Sequence, residues 1–262
     1  MITKQSIVDT IVRSAEMVRE FHEVYGHPVG VEPSMTLPER RGVERYTYLL
    51  EELLEGTKAS LATDKVEVVD ALGDSIYFSL GNIVECGVTS ESLGEVVSEI
   101  IASMAIEEDI AYTLSEVESA GGWARWMRNV FIQANFEITS VIAKDATHEL
   151  PESEVSFTTV EPSVGLILSF IFSMKVVTGA DPLAVMSEIH RSNMSKLLPD
   201  TLPNEDACHE YMKSAGFTGS LDGLMFRRMD DMRWVVKNID NGKVVKNPNY
   251  SKADLTSLVP AH

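Results

Sequence analysis

Glu51, Glu52 and Glu55 stand one helical turn apart, and after a short break Glu67, Asp70 and Asp74 repeat spacings of three and four. On two consecutive helices those spacings put Glu52 with Glu55 on one face, and Glu67 with Asp70 and Asp74 on another. Like charges so spaced destabilise a free helix by about 0.2–0.5 kcal/mol per pair. Apolar neighbours crowd them: Leu49, Leu50, Leu53, Leu54, Val68, Val69, Ala71 and Leu72. Carboxylates gathered among apolar groups need cations, and hard divalent ions that prefer oxygen ligands are the natural partners. The competing reading is a solvated acidic helix pair.

Helices must carry these groups. Ile7, Ile11, Met17, Val18, Phe21 and Val24 follow a helical period that ends at Gly26-His27-Pro28. A second helix is expected from about residue 39 to 61 and a third from about 64 to 85, closed by Gly87. Thr89 or Ser90 caps a fourth that runs to about residue 118 and stops at Gly121-Gly122. Further on, residues 205–215 read as a short helix, and 233–237 with 240–245 as two short strands around a tight Asn241-Gly242 turn.

After the glycine pair the chain repeats its own pattern. Residues 128–137 lie over 46–55, residues 160–179 over 68–87, and Ser187-Glu188-Ile189 over Ser98-Glu99-Ile100. In this alignment Gln133 stands for Glu51, Ala134 for Glu52, Thr159 for Glu67, Pro162 for Asp70 and Leu166 for Asp74, while Glu137 alone keeps the acid of Glu55. The second copy keeps a helical frame without the cation ligands, so one metal cluster per chain is expected. Three parts follow: residues 1–120 with the carboxylates, 121–200 as a degenerate second repeat, and 201–262 as an extension.

Among 262 residues, 44% are apolar and the formal net charge is −18, with pI about 4.7. A long nucleic acid partner is disfavoured, because phosphate backbones require concentrated Lys and Arg. A small anionic ligand stays compatible where a bound metal supplies positive charge. No run of about 18 apolar residues stands out, so no membrane helix is expected, and the first residues lack the pattern of a secretory signal. Cys86 and Cys208 form no disulfide framework, which points to a reducing cytoplasm and to small buried hydrophobes. Trp123, Trp126 and Trp234 read as packing groups.

The carboxylate pattern resembles the EExxE…ExxD signature of the MazG-like, all-α nucleoside triphosphate pyrophosphohydrolases. The likeness extends to Val18-Arg19-Glu20-Phe21-His22 with Gly26-His27-Pro28, to residues 67–74, to Glu188-Ile189-His190-Arg191-Ser192-Asn193-Met194-Ser195-Lys196, and to a tail, Gly242-Lys243-Val244-Val245-Lys246-Asn247-Pro248-Asn249-Tyr250. It is closest to the phosphoribosyl-ATP pyrophosphohydrolase-like members found in phages and bacteria. Residues 88–180 depart from it as an insertion, which the internal repeat accounts for.

The resemblance implies an all-α bundle, here a tandem pseudo-dimer with a small C-terminal β-hairpin, and a homodimer of such pseudo-dimers as the assembly. It also implies cleavage of a nucleoside triphosphate between its α and β phosphates. Mg²⁺, with Mn²⁺ as substitute, would be held by Glu52, Glu55, Glu67 and Asp70, with Asp74 a further ligand or a support, and Glu51 would position the attacking water. His190, Arg191, Asn193 and Lys196 would meet the nucleotide. The setting would be the cytoplasm, the host's if the chain is phage-encoded. His22, His27 and Arg41 lie in matching segments without a role, and base and sugar preference stay open. The alternative is a catalytically weak nucleotide-binding or regulatory protein on the same frame.

Overall fold

The computed structural model describes residues 2–145, 156–240 and 242–261. Helix α1, Lys4–Tyr25, begins in a capping box in which Thr3 and Ser6 exchange side-chain and backbone bonds, and it ends at Gly26, whose φ of 63° is left-handed. Helices α2, Glu39–Ala62, and α3, Lys65–Glu85, are joined through Thr63 and Asp64. The Asp64 carboxylate accepts the Glu67 N–H and starts α3. Arg45 near the start of α2 bonds Asn82 and the Phe78 carbonyl late in α3, so the two helices run antiparallel along their length.

Helices α4, Ser90–Ala102, and α5, Ile106–Ser119, replace the single long helix expected there. The break is a matter of packing. Helix α4 lies along α1, whereas α5 turns to meet α6, Trp123–Asp145, and the end of α7. No straight rod reaches both. Lys4 Nζ donates to the Ala102 carbonyl at 2.6 Å and seals the exposed end of α4. Helix α7, Val160–Ser173, continues as a π-helical turn, Met174–Thr178, and α8 spans Pro182–Met194.

Small two-stranded sheets complete the frame. Strand β1, Thr36–Pro38, pairs antiparallel with β2, Ser156–Thr158. After α9, Glu205–Ser214, strand β3, Leu224–Arg228, pairs with β4, Trp234–Asn238. The hairpin partner of β4 therefore precedes it in sequence. The expected strand over 240–245 gives only one bridge, Lys237 with Val244, plus bonds from Val245 N–H to Val236 and from Asn238 N–H to Lys243. Burial accompanies the pairing: β3 brings Leu224 to pack with Trp234 and Val236 on Leu198, Cys208 and Met212, while from the 240–245 segment Val245 packs at the edge of the same cluster. Asn241, half of the expected turn, lies outside the described residues.

One continuous core takes in residues from Ile2 to Leu255, so the two stretches related by the internal repeat share it. Helix α6 packs on α2, and α7 on α3. Glycine permits two close approaches: a Cβ on Gly56 would collide with the Phe131 ring of α6, and one on Gly73 with Ile189 of α8. The stretch Val160–Thr178, with mean hydropathy 1.6, does prove long and apolar enough by composition to cross a membrane. It packs instead as a core helix, burying Val164, Ile167, Phe170 and Met174 in the shared interior. Cys86 and Cys208 are both buried thiols.

Phe131 is fully buried where α6 crosses α2. Phe131→Ala should lower the unfolding free energy by about 3–5 kcal/mol. Urea denaturation should show this as one cooperative transition at a lower midpoint. Two separable transitions, only one of them shifted, would mean that the repeats fold independently.

Candidate active site

The antiparallel pairing of α2 and α3 lines up two stripes of side chains. From α2 come Glu44, Tyr48, Glu51, Glu52 and Glu55, and from α3 come Asp70, Asp74, Tyr77 and Phe78. Except for Glu55 and Asp70, these side chains line a cavity of about 580 Å³. Glu51, Glu52 and Asp74 line one end; Asn193 in the last turn of α8 and Lys196 just beyond it line the cavity with them; Lys243 and Lys246 close the groove from the C-terminal extension. Arg41, Glu44 and His27 line the other end.

The carboxylates feel one another strongly. Burial, then Asp74, Glu55, Asp70 and Glu51 in that order, push the Glu52 carboxyl up to about 8. Burial and Asp70 push Asp74 up to about 7, against relief from Lys196 and Lys246. Asp70 is raised by burial and by Glu67, with Lys252 opposing. Lys196 is lowered by its burial and steadied by Asp74 and Glu52. Glu51, Glu52, Glu55, Glu67, Asp70 and Asp74 thus act on a common region. Among the described residues, however, no three acidic, histidine or cysteine side chains already surround one point as an ion cage. As a donor set they fit a hard divalent ion: oxygen ligands and excess negative charge, with burial and then neighbouring carboxylates raising Glu52, Asp70 and Asp74.

The residues expected to meet the nucleotide divide. Lys196 Nζ donates to Asn193 Oδ1 at 2.5 Å, and both line the cavity beside Asp74. His190 stands behind that wall: its Nδ1 lies 3.0 Å from the Tyr77 hydroxyl and its Nε2 3.3 Å from Glu20, so it orients a lining tyrosine. Arg191 turns away to grip both oxygens of Glu188, at 2.7 and 2.6 Å, and the Lys252 carbonyl at 3.0 Å. Those bonds tie α8 to the C-terminal tail.

Behind the far end of the cavity lies a buried charge network. Glu85 accepts two bonds from Arg41, at 2.6 and 2.5 Å, and faces Arg45 at 3.5 Å. Arg45 is 6% exposed and also donates to Asn82 at 2.7 Å and to the Phe78 carbonyl at 2.6 Å. Burial pulls its guanidinium down to about 10, with Glu85 opposing. His22 donates from Nδ1 to the Pro28 carbonyl at 2.8 Å; burial and Arg45 pull its pKa down to about 4. Its imidazole is therefore neutral, and the 4.0 Å approach to Glu85 is not an ion pair. His27 is likewise held neutral, near 3, by burial and by Lys237. Helical spacing carried a signal here: Glu85 sits eleven residues beyond Asp74, on the same face of α3. Lys237, Lys243 and Lys246 reach the cavity only through the fold of the extension, and spacing gives no clue to them.

Residues 18–104, from within α1 to just past the end of α4, match the family model described as phosphoribosyl-ATP pyrophosphohydrolase. Over 258 residues the chain is 24% identical to "Uncharacterized protein L479" of Acanthamoeba polyphaga mimivirus, a similarity covering 93% of this chain and 94% of that protein. No solved structure matches.

Two predictions follow from the buried charges. Because the folded pKa of Glu52 is raised from 4.5 to about 8, the folded metal-free protein keeps a proton that the unfolded chain releases in that window. Stability is therefore highest at the acid end and falls as pH rises through about 8, with Asp74 adding to the fall up to about 7. Calorimetry in chelator should show that decline, and Glu52→Gln should flatten it and raise the melting temperature at the alkaline end. Separately, Glu85→Ala strands Arg45 without its carboxylate and should cost about 3–5 kcal/mol, read by urea denaturation.

Proposed function

We propose that the chain is a metal-dependent nucleoside triphosphate pyrophosphohydrolase, releasing pyrophosphate and a nucleoside monophosphate. One observation carries the reading: the repelling carboxylates of α2 and α3 face Lys196 and Lys246 across a single cavity. The match of residues 18–104 to a family of nucleotide pyrophosphohydrolases supports it. Glu52, Glu55, Glu67, Asp70 and Asp74 would hold Mg²⁺, or Mn²⁺ in its place. When bound, such an ion offsets phosphate charge and acidifies a coordinated water.

The protein's own groups do the rest. Glu51, at the mouth of the cavity, positions the attacking water and accepts its proton. Lys196, held by Asn193, and Lys246 place positive charge against the phosphate chain. Tyr77, oriented by His190, closes the wall beside Asp74 and limits the entry of bulk water.

The test is a pyrophosphate-release screen over common ribo- and deoxynucleoside triphosphates with Mg²⁺ or Mn²⁺. Glu52→Gln should reduce turnover by at least about 100-fold while leaving the helical circular dichroism intact. The second reading, a nucleotide-binding protein without turnover, draws on the open arrangement of the carboxylates. Thermal stabilisation by magnesium and nucleotide together, with no pyrophosphate released from any triphosphate, would select it.

A further inference from the structure

The end of the cavity remote from the carboxylates has its own chemistry. Glu44 lies eight residues before Glu52 on α2, about 12 Å along the helix at 1.5 Å per residue. That is about the reach from an α-phosphate across a sugar to the outer edge of a base. Between them stand Tyr48 and Phe78, ring centroids 5.9 Å apart, offering flat apolar surface midway along the groove.

Glu44 is an aligned acceptor. Arg41 donates to its Oε2 at 2.6 Å and the Tyr48 hydroxyl to its Oε1 at 3.2 Å. Its side chain remains 40% exposed at the cavity wall. Each oxygen of an ionised carboxylate has lone pairs for about two bonds, so both keep capacity for a ligand. The cations nearby are already engaged: Lys243 Nζ stands over the Tyr48 ring, 5.0 Å from its centroid. Arg41 spends its guanidinium on Glu85 as well as Glu44, and Lys237 Nζ donates to the Gly26 carbonyl at 3.3 Å. His27 carries no charge there. A second phosphate therefore finds little at this end, whereas a pair of neighbouring N–H donors finds a fixed carboxylate.

We infer that Glu44, held by Arg41 and Tyr48, reads the base of the nucleotide and selects an edge carrying a ring N–H beside an exocyclic amine, the guanine edge. Two parallel N–H···O bonds to one carboxylate suit that edge. Adenine presents an acceptor at the corresponding ring nitrogen, hypoxanthine lacks the amine, and uracil offers a single donor between two carbonyls. The inference rests on the nucleotide reading above and narrows it to guanine nucleotides and analogues that keep both donors. Glu44 contacts the base, and Tyr48 is a positioning residue.

The test compares kcat/KM for guanosine, inosine, adenosine and uridine triphosphates with Mg²⁺, and dissociation constants for their α,β-imido analogues, in wild type, Glu44→Gln and Tyr48→Phe. Wild type should favour guanine over hypoxanthine by about 10-fold and over adenine or uracil by about 100-fold or more. Glu44→Gln should collapse these ratios, and Tyr48→Phe should lower them partway with circular dichroism unchanged. Ratios that stay put in Glu44→Gln, or a wild type blind to the base, overturn the inference. If no triphosphate is cleaved but guanine-selective binding is lost in Glu44→Gln, the hydrolase reading falls and the base assignment stands. Binding that is base-blind, or absent for every analogue, removes the base assignment.

Discussion

The fold has to hold several carboxylates together against their own repulsion. Glu52, Asp70 and Asp74 are raised by burial before they are raised by one another, so the interior of the α2–α3 pair sets their energies more than mutual distance does. Such an arrangement survives only if the helices cannot slide or splay. Leu49, Leu53, Leu72 and Ile76 fill the space behind the charged faces, while Phe131 and Phe170 brace the pair from α6 and α7. Helices α6 and α7, which carry none of these acids, pack on α2 and α3 as a scaffold.

A second charge system stands at the other end of the same two helices, and its logic is the opposite. Around Glu85, acid and base are matched: Arg41, Arg45 and Asn82 saturate the buried donors and acceptors, and His22 stays neutral. That network is closed and structural, apart from Glu44, which Arg41 turns toward the cavity. At the carboxylate end the protein alone leaves charge unbalanced. An unbalanced end and a balanced end on one rigid helix pair give the cavity a direction; in the proposed reading a metal held at the acidic pole would receive the phosphates and the base would lie toward the other.

Much of this was legible in residue order, and the failures have physical causes. The helical period, the Asp64 cap and the carboxylate spacing follow from local rules, and α1, α2, α3 and α9 fall where periodicity places them. The break between α4 and α5 was hidden, because no Pro or Gly marks Ser103–Ala105; the chain bends there to pack in two directions. The hairpin was misassigned because an Asn-Gly turn outweighs, in local pattern, the apolar β3 strand that burial prefers. Arg191 looked like a phosphate ligand by residue type, yet its guanidinium has the geometry to clamp Glu188 and the tail.

The sequence by itself determined the helical class and the acidic stripes on two successive helices, since each depends only on spacing along one element. Tertiary structure alone decided that Lys246 acts on Asp74 and Lys243 stands over Tyr48, that His190 serves Tyr77, and that Glu44 shares a cavity with Glu52 and an extension some two hundred residues away. Those juxtapositions arise where separate elements pack. Local propensity does not reach across the distances that core burial brings together.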